Sequence, residues 1–142
     1  MDETLISRNH VKLTCKGAHT IVHAAEKRAA AMGVPQCIAV VDEGGNLLAF
    51  SRMDGARIGS IEIAITKART AAIRLQRSEE VGGSDDHNKL RIALASQLNL
   101  TGMKGGIPIL VDGQVVGAVG VSSGTPEQDV EVGEAGVSAL FS

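Results

Sequence analysis

His19 and His23 stand four residues apart in a stretch with helical periodicity, so their imidazoles share one side of a helix about one turn apart. Imidazoles at that spacing can hold a metal ion, or one of them can serve as an axial ligand to haem iron. The plainer account is a pair of solvated surface histidines, because both flank the apolar stripe beside Lys16 and Glu26. A second set is charged. Arg52 closes a strand-like run, Asp54 lies in the turn after it, and Lys67 falls on the following helix. If that helix packs back over the strands, these groups meet at one rim and can hold a carboxylate or a haem propionate, for which the arginine fork is well shaped. Together with Asp129 they also supply the proton carrier and anion stabiliser that an isomerase or hydrolase requires. The structural alternative has Asp54 pinning its turn and Arg52 pairing with it.

Other reactive side chains have simpler explanations. Cys15 and Cys37 lack CxxC spacing and read as small buried hydrophobes. Ser84-Asp85-Asp86-His87 contains metal-ligand types, yet its position before a helical stretch favours capping. Ser122 and Ser123 have no histidine placed by sequence to activate them. The loop Gly120 to Thr125 leads into a helix N-terminus, where free amides can meet an anion. Glu127 and Asp129 already complement that helix dipole, so the loop reads as structural and no nucleotide motif is present.

The elements that must position these groups are legible from periodicity. Cys37 to Gly55 is two apolar runs separated by Glu43-Gly44-Gly45-Asn46, the pattern of a β-hairpin, and Ile107 to Ser122 repeats it around Asp112-Gly113. Two hairpins make a sheet of at least four strands. Ala18, Ile21, Val22, Ala25, Ala29 and Met32 recur at helical steps within a first helix predicted over Val11 to Met32, stopped by Gly33-Val34-Pro35. A second helix is predicted over Ile58 to Arg77, burying Ile61, Ala64, Ile65, Ala68, Ala72 and Leu75. Ile63 and Ile73 project off that face, toward either a second subunit or another helix. A shorter helix, capped by Ser84 or Asp85, runs to about Asn99, and Leu100 to Gly106 is a flexible connection. Thr125-Pro126-Glu127-Gln128 is a capping box with proline at the first helical position, opening a last helix that reaches Leu140 with Val130, Gly133 and Val137 in its packing stripe.

The order helix, two strands, two helices, two strands, helix argues for an α+β fold on an antiparallel sheet rather than for βαβ units. A chain of 142 residues suits one domain over residues 1–142, burying about two-thirds of its unfolded surface. Net charge −2 with both signs interspersed provides no basic patch for nucleic acid or an acidic membrane surface. The opening MDETLIS lacks the features of a signal peptide and no apolar run approaches about 18 residues, so a cytoplasmic protein is expected.

Four stretches carry a family resemblance: RMDGA at Arg52 to Ala56, KARTAA at Lys67 to Ala72, GGIPI at Gly105 to Ile109, and DGQVVGAVGVSSGTPEQD at Asp112 to Asp129. In this order, over about Val34 to Leu140, the chain resembles the GlcG/HbpS-like family. It departs from the family pattern at Ile73-Arg74, where an aromatic residue is common, and at Ser122-Ser123-Gly124, where a Ser-Gly-Gly run is usual. The resemblance implies a profilin-like α+β fold assembled into homo-oligomers, and a place among accessory proteins of catabolic operons, several of which bind haem. It also implies an iron ligand among the N-terminal histidines His10, His19 and His23, with His23 preferred. The expected function is therefore a cytoplasmic small-ligand-binding protein with haem or another tetrapyrrole as leading ligand, His23 or His19 on the iron, and Arg52 and Lys67 on acidic groups. The alternative is a cofactor-independent isomerase or hydrolase acting on a small organic acid at a subunit interface through Arg52, Asp54, Lys67 and Asp129. A third reading is a structural subunit of a larger enzyme complex.

Overall fold

The computed structural model describes residues 1–142, and its architecture follows from the alternation of the strands. Strands β1 (Cys37–Asp42) and β2 (Leu47–Arg52) form the first hairpin, β3 (Gly106–Val111) and β4 (Gln114–Ser122) the second. The hairpins join through an antiparallel β1–β4 pairing, giving the order β2-β1-β4-β3. Successive side chains point to opposite faces of a strand, so β1 buries Ile38 and Val40 on one side and Cys37, Ala39 and Val41 on the other. A sheet buried on both faces needs a layer on each. Helices α1 (Cys15–Met32) and α4 (Pro126–Ala139) cover the first face, around Ile21, Val119, Val121 and Val132. Helix α2 (Ser60–Arg74) covers the second with Ala64, Ala68, Ala71 and Ala72.

The turns are chemically specified. Asp42 accepts the amides of Gly44 and Asn46 at 2.9 Å each and holds the first reversal, while Asp112 and Gly113 take φ of 50° and 74° to close the second. Close approach on the α2 side depends on one glycine: a Cβ on Gly120 would lie 2.0 Å from the Ala64 carbonyl oxygen.

Several predicted boundaries move, for physical reasons. Helix α1 starts at Cys15 rather than Val11, because Thr14 caps it by accepting the Gly17 amide. Val11 and Leu13 alternate instead in extended chain against the core, with the Val11 amide donating to Gln114. Helix α2 ends at Arg74 rather than Arg77; Leu75 adopts φ 58° at its C-cap and is exposed rather than part of the buried stripe. Helix α3 (Asp86–Ala95) stops short of Asn99, where Gln97 and Leu98 turn left-handed. It buries no residue, and no helix covers Ile73. The capping box at Thr125 is complete in both directions, and Asp85 caps α3 by accepting the His87 amide, so that acidic cluster serves the helix start. The Leu100 to Gly106 connection is tied down rather than loose: Thr70 accepts the Thr101 amide, and Ser78 bonds both Met103 and Gly106.

Candidate functional site

Lys67 is the most consequential polar residue of the molecule. It lies in the alanine face of α2, only 2% exposed, and its Nζ reaches the end of β4 to donate to the Val121 carbonyl at 2.8 Å and to Asp129 Oδ2 at 3.0 Å. Asp129 is 3% exposed in the first turn of α4, and its other oxygen accepts the Gly124 amide at 3.0 Å. One ion pair thus ties the helix on one sheet face to a helix on the other. The passage for the lysine is made by Gly105 and Gly106: a Cβ on Gly105 would stand 2.9 Å from Nζ, and one on Gly106 2.2 Å from the Lys67 carbonyl oxygen.

This pair floors a cleft of about 570 Å³ on the α2 side of the sheet. Gly59 at the N-cap of α2 and Ser60 and Ile63 in its first turn line one side, the loop before β3 supplies Met103 and Lys104, and Ser122, Gly124 and Pro126 close the far wall. Arg57 completes the rim, fixed in place by its amide donating to Ser123 at 3.0 Å. Arg57 and Lys104 are exposed and form no ion pair, whereas Asp129 is already neutralised by Lys67. The cleft therefore carries an excess of positive charge and suits an acid. Its size lies in the usual range for small-molecule sites.

Of the four charged candidates from sequence, Lys67 and Asp129 come together. Arg52 and Asp54 are exposed, do not pair with each other, and line no part of this cleft; Arg57, which the sequence reading passed over, takes the rim position expected of Arg52. The signal for Arg57 was its place directly after RMDGA. Lys104 and Ser60 carried none. His19 and His23 lie as predicted on one side of α1, exposed, with ring centroids 6.3 Å apart. None of the four histidines lines the cleft, and no group of three metal-ligating side chains gathers anywhere in the chain. The cleft residues thus fit the acidic groups of a tetrapyrrole but offer its iron no imidazole.

The two cysteines differ. Burial pushes the Cys37 thiol up, with the Arg52 charge pulling back by less, whereas Cys15 is exposed rather than buried as its sequence context implied. Near neutral pH a maleimide reagent is expected to modify one thiol per native chain quickly and the second only after unfolding; equal reactivity in the native state would contradict the placement of Cys37.

The model of the family described as "Haem degrading protein HbpS-like" matches residues 13–138. The chain belongs to the HbpS-like family. The GlcG protein of Escherichia coli K12 is 42% identical over 115 residues, covering 81% of this chain and 84% of its own. The crystal structure of ORFY from Klebsiella pneumoniae superposes with a TM-score of 0.89 at 31% identity, covering 96% of this chain and 97% of its own. The solved PduOC–haem complex gives 0.82 at 27% identity, covering 91% and 95%. The fold is accordingly the profilin-like α+β fold of this family, and one of the similar solved structures holds haem. The stretches KARTAA, GGIPI and GVSSGTPEQD, scattered in sequence, supply Lys67, the glycine passage and Asp129 of one cluster. No helix is long and apolar enough to cross a membrane.

Proposed function

We propose that this HbpS-like chain is a small-ligand-binding accessory protein of a catabolic pathway, working in the cytoplasm, whose ligand is an acid and whose leading candidate is haem. The observation that carries the reading is the cleft above Lys67, with Arg57 and Lys104 unpaired at its rim. Contacts from exposed cations such as these are worth about 0.2–1 kcal/mol each to a bound carboxylate, and more where the ligand shields them from water. Haem enters through the family relationship and through the PduOC–haem complex. On this reading Arg57 and Lys104, with Lys67 below them, hold the propionates. His23 or His19 supplies the iron ligand from outside the cleft, drawn from the α1 of a neighbouring copy in a homo-oligomer.

Titration with haem, followed in the visible spectrum, tests this. Saturation at one equivalent per chain is expected, weakened about tenfold or more in the Arg57→Ala/Lys104→Ala variant. The shift of the Soret band is expected to disappear in His19→Ala/His23→Ala. An unchanged shift in the histidine variant removes the iron assignment, and absence of saturable binding removes the haem reading.

A second reading, a cofactor-independent isomerase or hydrolase of a small organic acid, is favoured by the 3.0 Å Lys67–Asp129 contact bordering a cleft. Both Asp129 oxygens are occupied, by Lys67 and by the Gly124 amide, which makes a structural role the stronger one for this pair. Deuterium incorporation beside the carboxylate of a bound acid would support catalysis; no incorporation would remove it.

A further inference from the structure

The cleft at Lys67 does not end at Ile63 and Met103. Those two side chains also line a second cleft of about 220 Å³, walled by Ala93, Leu98 and Leu100 and bordered by Glu62. The two clefts are therefore neighbours along one groove, with Arg57, Lys67 and Lys104 gathered at one end of it.

The polar end has donors to spare. Ser60 and Ser122 are only 4% and 5% exposed, and both line the cleft. The Lys67 ammonium has three N–H donors, of which Val121 and Asp129 take two. Helix α2 begins at this point without a side-chain cap, and Glu62 in its first turn complements its positive end. Behind Gly124, Gln36 is fully buried with neither amide atom hydrogen-bonded. Buried polar groups are ordinarily satisfied, and the two amide atoms of Gln36 behind this cleft are not. The apolar end shows the converse anomaly. Leu98 is 67% exposed and held at φ 64°, a conformation that costs a branched side chain energy and that no core contact repays. Glu62 at that end repels a carboxylate, whereas Arg57, Lys67 and Lys104 attract one to the other.

We propose that the two clefts form one groove for an amphipathic carboxylic acid, its carboxylate set against Ser60, Ser122 and Lys67 and its hydrocarbon part laid over Ile63, Met103 and Leu98. This rests on the first cleft being an acid site and adds the apolar half of the ligand. The Asp129 carboxylate does not oppose it, because Lys67 and the Gly124 amide already hold that charge.

Calorimetric titration with butyrate, hexanoate and octanoate tests the groove. Octanoate is expected to saturate at one per chain, and affinity to rise up to about fourfold for each methylene buried, as apolar transfer predicts. Octanol, lacking the charge, is expected to bind at least about tenfold more weakly than octanoate. Ser60→Ala/Ser122→Ala should weaken all three acids by a similar factor, while Ile63→Ser/Leu98→Ser should flatten the chain-length dependence. Non-saturable uptake of octanoate, or a series indifferent to both variant pairs, would overturn the inference. Failure of octanoate with haem still bound through Arg57 and Lys104 would remove the groove alone; failure of both would remove the acid-site reading beneath it.

Discussion

Lys67→Met is expected to lower the unfolding free energy by about 3–5 kcal/mol, because it leaves the Asp129 carboxylate buried without its counter-charge. Domains of this kind are stable by only about 5–15 kcal/mol, so a single substitution of this size brings the chain close to unfolding. Methionine keeps most of the lysine's length and removes only the charge and the donors to Val121 and Asp129. Asp129→Asn, which strands the ammonium instead, should cost a comparable amount. Lys67→Met combined with Asp129→Asn should lose clearly less than the sum of the two, since neither charge is then left alone; coupling in such pairs runs to about 0.5–3 kcal/mol. Urea denaturation of the four proteins gives the numbers. Strict additivity would mean that the two side chains do not depend on each other.

Gly120→Ala is the second large effect. The added Cβ would lie 2.0 Å from the Ala64 carbonyl oxygen and 2.5 Å from the Ala68 amide, both of them backbone atoms that cannot swing aside. Helix α2 would have to lift from the sheet, separating Ala64, Ala68 and Ala72 from Cys37, Ala39 and Val41. Overpacking of a core commonly costs about 1–3 kcal/mol, and backbone clash puts this site at or above the upper figure. Gly113→Ala, where a Cβ meets nothing within 4 Å, serves as the comparison and should cost less, limited to the strain of φ 74°. Thermal denaturation of both variants would contradict the packing if Gly120→Ala proved the milder.

These two positions also mark what can be read from sequence. The hairpins were legible because turn chemistry is local: Asp112-Gly113 and the Asp42 to Asn46 reversal need only their own residues. The last helix was legible for the same reason, its capping box lying within Thr125 to Gln128. The start of α1 was misplaced because Val11 and Leu13 are apolar and continue the pattern, while Thr14 ends the extended segment by a single hydrogen bond. The burial of Lys67 was hidden by the convention that a charged residue marks the wet face of a helix. Its neighbours gave the clue, since Ala64, Lys67, Ala68 and Ala71 share one stripe and a lysine in an alanine face is either stranded or paired. Its partner could not be read, because Asp129 lies 62 residues away and on the other side of the sheet. The same holds for the cleft: Arg57, Ser60, Lys104 and Ser122 come from four segments that only the tertiary fold assembles.

Whether the Lys67 cleft seats the ligand can be read by amide mapping of the isotope-labelled chain by magnetic resonance. On addition of haem, the signals of Ser60, Lys104 and Gly124 are predicted to broaden or shift first, since these residues line the cleft. Changes confined to α1 around His19 and His23, with the cleft signals unmoved at saturation, would contradict the account.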